Sequence, residues 1–132
     1  MTKFDVEALG IKKPIEINVT NAVVNKIAKA NLEVAKSMDL ANKDDKSIMQ
    51  ETLKANEVEK EVLLNILHLG EKEVEHIINT VSSFDLNVWF KNFTTAVFMV
   101  RNYGMGPIEM KALQKKEDKS HHTEKSKSGK TH

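Results

Sequence analysis

"FDLNVWFKNFTTAVFMVRNY", residues 84–103, holds six of the seven aromatic residues in the chain: Phe84, Trp89, Phe90, Phe93, Phe98 and Tyr103. Wound as a helix, the stretch places Leu86, Phe90, Phe93, Val97 and Val100 on a stripe roughly 80° wide, with Trp89 and Ala96 on its flank. That stripe is a core face. Val88, Thr95 and Met99 form a second line on the far side, and Phe98 lies between the two, so this helix is apolar on more than one face. It is therefore either central in a helical domain or left with surface for a partner. Gly104-Met105-Gly106-Pro107 closes it, because glycine frees the backbone and proline does not continue a helix.

Working back from Phe84, "SSFD" separates this helix from a shorter one over residues 71–81, with Val74, Ile77, Ile78 and Val81 inward. The early glutamates of that shorter helix suit the positive end of the dipole. Before it runs a long helix opened by Ser47, with Gln50 three residues on as a capping box. Ile48, Ala55, Val58, Val62, Ile66 and Leu69 follow at helical steps, and Gly70 is expected as the left-handed residue that ends it. A first helix starts at Thr20 or Asn21 and carries Val23, Ile27, Ala30, Val34 and Met38 on one face, up to the Asn/Asp-rich "MDLANKDD". Asp85 is the expected cap of the aromatic helix. At the N-terminus "PIEINVT" alternates Ile15, Ile17 and Val19 with polar residues, the period of a half-buried strand, and "KFDVEAL" is its candidate partner in a loose hairpin. The expected fold is mainly α: about four helices, a short N-terminal β-hairpin or extended segment, and a disordered C-terminal tail. The helical domain spans 1–112 and a flexible charged tail spans 113–132, whose "LQKKEDKSHHTEKSKSGKTH" is too polar to repay ordering entropy.

The 132 residues carry a net charge of +1, unevenly distributed. From Glu109 onward seven lysines face four acids, which leaves the first 108 residues at −2. A body that read nucleic acid through its phosphates would carry a basic face, so the distribution argues against a nucleic-acid partner. No membrane span is expected, since Asp85, Lys91 and Arg101 interrupt the most apolar stretch. The N-terminus lacks a signal-like apolar run, and the absence of cysteine removes disulfides, thiolate metal sites and a cysteine nucleophile.

Catalytic and cofactor chemistry finds little support. Glu73-Val74-Glu75-His76 is a single Glu-x-x-His element where a di-iron bundle needs two plus further carboxylates. His68 and His76 are eight residues apart with a glycine between them, which suits no helical ligand pair, and His121, His122 and His132 sit in the tail. Gly104-Met105-Gly106-Pro107 lacks the lysine of a phosphate loop, and no serine or threonine sits in a nucleophile motif. The reading is of a non-enzyme with neither metal nor cofactor.

The order of parts, "PIEINVT", "NAVVNKIAKANLEVAKSMDL", a long acidic-basic helix, "DLNVWFKNFTTAVFMVRNYGM" and a Lys/Ser/His-rich end, resembles the tail assembly chaperones of siphophages infecting low-GC Gram-positive bacteria, in particular the tape measure chaperones of lactococcal phages. The likeness spans the chain and contains no invariant motif. It implies a mostly helical, late-expressed, non-virion protein of the host cytoplasm. Such a protein binds hydrophobic helical repeats of the tape measure protein, keeps them soluble during tail assembly, and self-associates into homo-oligomers. Many members of the family also exist in a longer form made by ribosomal frameshifting, for which Lys115-Lys116 marks a candidate position.

The resemblance carries no binding residue across; on the wheel alone, Trp89, Phe93, Phe98, Met99 and Tyr103 are the candidate apolar groove. The argument is that aliphatic neighbours are too few to cover these rings, so that a single copy leaves an adhesive face. The structural alternative is an ordinary core. Two other functions compete: a virion tail or connector subunit assembling through the same face, and a small nucleic-acid-associated regulator using the lysine tail.

Overall fold

The computed structural model describes residues 1–41 and 43–115; the tail beyond, with His121, His122, His132 and Lys116, lies outside the described residues. The fold is mainly helical, with a short two-stranded N-terminal sheet. The elements run β1 (Thr2–Phe4), a 3-10 turn (Glu7–Leu9), β2 (Ile15–Ile17), α1 (Asn21–Met38), α2 (Asp45–Asn65), α3 (Glu71–Thr80) and α4 (Ser83–Tyr103). A further helix, α5, begins at 107 and is described to 115.

The ribbon forms because its alternation has something to cover. β1 and β2 pair antiparallel in the register Thr2↔Ile17, Lys3↔Glu16, Phe4↔Ile15. Successive side chains point to opposite faces, so Phe4 and Ile17 go inward and are buried while Lys3 and Glu16 stay in water as an opposite-charge pair of positions. An isolated two-stranded ribbon is marginal in water, and here both β1 and the 3-10 turn lie against α4. The chain leaves that turn at Gly10, whose φ of 85° is open to glycine at no steric cost.

Helix α1 is capped by Thr20, whose hydroxyl accepts from the Val23 N–H at 3.2 Å, and it buries Val24, Ile27, Ala30 and Val34. Met38, expected on that face, is exposed as the last residue of the helix. The short connection after it folds α2 back on α1, the most extensive helix pairing in the molecule. α3 packs on α2, and α4 packs on α1.

Three helix ends differ from the sequence reading. Asp44 caps α2, its carboxylate accepting from the Ser47 N–H at 2.8 Å; Ser47 is thus inside the first turn. That bond holds the Asp44 carboxyl below its ordinary range. Ser82 caps α4 by accepting from the Asp85 N–H at 3.1 Å, which leaves Asp85 as a favourable first-turn charge. At the end of α2 the left-handed residue is His68, with φ of 56°, and Gly70 instead has an extended φ of −68° as the cap of α3. A two-residue shift suffices because the N–H groups of Leu67 and Leu69 already reach back to the carbonyls of Val62 and Leu63.

The fourth difference is α5. Pro107 starts a helix rather than only ending one, because the first helical position needs no N–H. Gly104 closes α4 in the left-handed region, and Gly106 then serves as the cap of α5, its carbonyl accepting from the Met110 N–H and its own N–H donating to Glu109 Oε2 at 3.0 Å. Among the described residues the helix thus continues past the expected boundary at 112, through 115. Gly106 is buried against β1, and a Cβ there would lie 2.5 Å from Thr2 Cγ2. Gly106→Ala should therefore cost about 1–2 kcal/mol by pushing the ribbon away, readable in urea unfolding, and Thr2→Ala should recover part of that loss.

Candidate binding grooves

The aromatic helix is covered from an unexpected direction. Phe4, brought over by the ribbon, meets Phe93 edge-on with ring centroids 5.3 Å apart. Phe93 stacks on Trp89 at 5.0 Å and an interplanar angle of 9°, and Trp89 meets Phe90 at 6.3 Å edge-on. The indole N–H of Trp89 points to the Asp5 carbonyl at 3.5 Å. Trp89 is 6% exposed, Phe93 4%, and Phe90 and Phe4 are sealed. Phe84, at the start of α4, stays 69% exposed. For Trp89, Phe90 and Phe93 the expectation that one copy cannot hide the rings is corrected, because the N-terminal segment supplies the cover that aliphatic helix faces lack. This geometry is the preferred one for aromatic pairs and adds to their burial.

Of the five candidate groove residues, Trp89, Phe93 and Met99 line one shallow groove of about 660 Å³, together with Phe4, Val88 and Pro107. Phe98 does not border it; it is half-buried and packs on the core. Tyr103 is 71% exposed at the end of α4 and does not border it either. Its ring floor is almost wholly buried, so the apolar surface this groove offers a partner comes from Val88 and Met99 beside the rings.

A second groove, of about 720 Å³, runs between α1 and α2. Its floor is Ala30, Val58, Val62 and Ile66, its lip is Leu32, and its rims carry lysines and carboxylates. Leu32 is 64% exposed. It belongs to a larger population of uncovered apolar side chains around the α1–α2 hairpin: Met38 and Leu40 where α1 ends, and Met49 and Leu53 one turn apart on α2. Scattered single exposures are ordinary; a long exposed side chain at the lip of an apolar trough is the informative case. Helical spacing carried the signal, since Leu32 falls outside the α1 stripe with Lys29 and Lys36 three and four residues away.

Two buried polar residues remain: Thr94, whose hydroxyl donates to the Phe90 carbonyl at 2.9 Å, and Glu59, on the inner stripe of α2 and 1% exposed. With the Asn87 amide turned so that its nitrogen faces the carboxylate, as the donor and acceptor pattern requires, that nitrogen lies 3.1 Å from both Glu59 oxygens. Burial pushes the Glu59 carboxyl up to about 7. Among the described residues no group of three or more His, Asp or Glu side chains is disposed to hold a metal ion, and no helix is long and apolar enough to cross a membrane. Comparison with protein-family models, with curated proteins and with solved structures gives no match.

Proposed function

We propose that the chain is a non-enzymatic holding protein of the siphophage tail assembly chaperone type. It receives apolar helical repeats of a tape measure protein in the α1–α2 groove, keeps them soluble in the host cytoplasm until the tail tube surrounds them, and associates with further copies of itself. The observation that carries the reading is the groove itself: an apolar floor between two helices with a leucine standing 64% exposed at its lip. Laying the apolar face of an amphipathic helix into such a trough is a recurring recognition mode, and covering Leu32 alone is worth about 1–2 kcal/mol. Met38 and Met49 nearby have flexible, polarizable side chains that adapt to repeats differing in sequence.

Co-expression with apolar repeats of the tape measure protein tests this. The wild-type chain should hold the repeats in the soluble fraction. Leu32→Glu should release them into the pellet while leaving helicity unchanged, since the position is exposed on a helix and Glu is a good helix former. Leu53→Glu, outside the groove lining, should behave as wild type. Insoluble repeats beside the wild-type chain, or recovery of the chain as a component of purified virions, would overturn the reading in favour of a structural tail subunit.

A further inference from the structure

The rims of the α1–α2 groove differ in charge. The α1 rim presents Lys26, Lys29 and Lys36 with Glu33 and Asp39, and the α2 rim presents Glu61. The acids on the α1 side are engaged locally: Glu33 pairs with Lys36 at 3.6 Å, and Asp39 accepts from the Ala41 N–H at 3.1 Å. The ion pairs among the described residues are Lys36–Glu33 and Lys43–Glu51, and neither uses Lys26 or Lys29. These two ammonium groups stand one turn apart on the same wall, their stems free to lie along the apolar floor while their heads stay at the rim.

Given the groove reading above, we infer that the bound helix is acidic along the flank that faces α1, with carboxylates spaced about one turn apart opposite Lys26 and Lys29. An occupant with lysines on that flank meets two like charges across a narrow apolar trough. One with carboxylates meets two cations that have no ion-pair partner among the described residues. Across the groove Glu61 adds the opposite preference, so charge fixes which way round the amphipathic helix lies while the apolar stripe supplies most of the affinity. Exposed pairs are individually weak and screened by salt, so the device selects and orients more than it tightens.

Two labelled helical peptides with the same apolar stripe, one carrying Glu and the other Lys along a single flank, test the inference by fluorescence anisotropy against the full chain. The Glu-flanked peptide should bind roughly tenfold more tightly at low salt, the gap should close as salt rises past a few tenths molar, and Lys26→Glu/Lys29→Glu should invert the preference. Equal binding of both peptides to the wild type would overturn the inference and leave the groove reading standing. Binding of neither, in a chain that still solubilises tape measure repeats, would overturn the inference by moving the partner to another surface. Failure of both assays would bring down the functional reading with it. A double variant that changes the oligomeric state and leaves peptide preference untouched would also overturn it, since a second copy of the chain would then fill the groove.

Discussion

Phe93→Ala should lower the free energy of unfolding by about 3–5 kcal/mol, and the loss should be in stability before it is in binding. Phe93 is almost fully buried, stacks on Trp89 and takes the edge of Phe4, so truncation removes two ring contacts at once and leaves a void bounded by elements far apart in the chain. The ribbon cannot close that void without giving up its place against α4, which is why the cost belongs at the upper end for an aromatic core residue. A loss of that size is a large share of the total stability of a small domain. Phe93→Leu, which keeps most of the volume, should cost roughly half as much or less. Urea unfolding followed by tryptophan fluorescence reads both, because Trp89 is the only indole and sits on the ring in question. An unfolding midpoint of Phe93→Ala equal to wild type, with partner binding abolished, would return Phe93 to the role of a contact residue.

The three long helices α1, α2 and α4, and the shorter α3, were legible because their apolar residues keep the helical period, which is a property of the chain alone. Their ends were less so. Asp44 and Ser47, or Ser82 and Asp85, are both good cap residues three positions apart, and the choice depends on where the preceding loop lets the chain enter the helix. Pro107 was read as a stop because the same residue that ends one helix also begins another, and only the return of Glu109 to the Gly106 N–H distinguishes the two. The burial of the aromatic face was hidden for a different reason: its cover, Phe4, is 89 positions from Phe93 in sequence, and no local pattern announces such a contact. Of the candidate site, the middle of the aromatic helix is core, with Trp89 and Phe93 buried, while Tyr103 and, in the same aromatic stretch, Phe84 are exposed at the ends of α4. A further excess lies around α1 and α2, where Leu32, Met49 and Leu53 sit among charges and lack an aromatic signal to draw attention.

Glu59 was legible in principle, for it falls four residues after Ala55 and three before Val62, inside the buried stripe of α2, yet "EVEKE" reads as a solvated run. Glu59→Gln should remove most of a pH dependence that this carboxyl imposes on stability. Its proton is held more tightly in the folded chain, up to about 7, than at its ordinary value of 4.5. Between those values the folded state binds more protons than the unfolded one, so stability is fullest below about pH 4.5, falls as pH rises, and levels off above about pH 7. Burial of the charge is the cause. The Asn87 amide opposes it, since its N–H groups favour the ionised form, which trims the expected loss at neutral pH to about 2 kcal/mol. Glutamine keeps the shape and, through its side-chain carbonyl, can still accept from Asn87, but it has no charge to desolvate. The variant should therefore match wild type near pH 4.5 and exceed it by about 2 kcal/mol at about pH 8. The other carboxylates titrate in both proteins, so the difference between the two urea-unfolding series isolates Glu59. A difference that stays constant across that range would mean the carboxyl is hydrated in solution, and that α2 and α4 part far enough at this level to admit water.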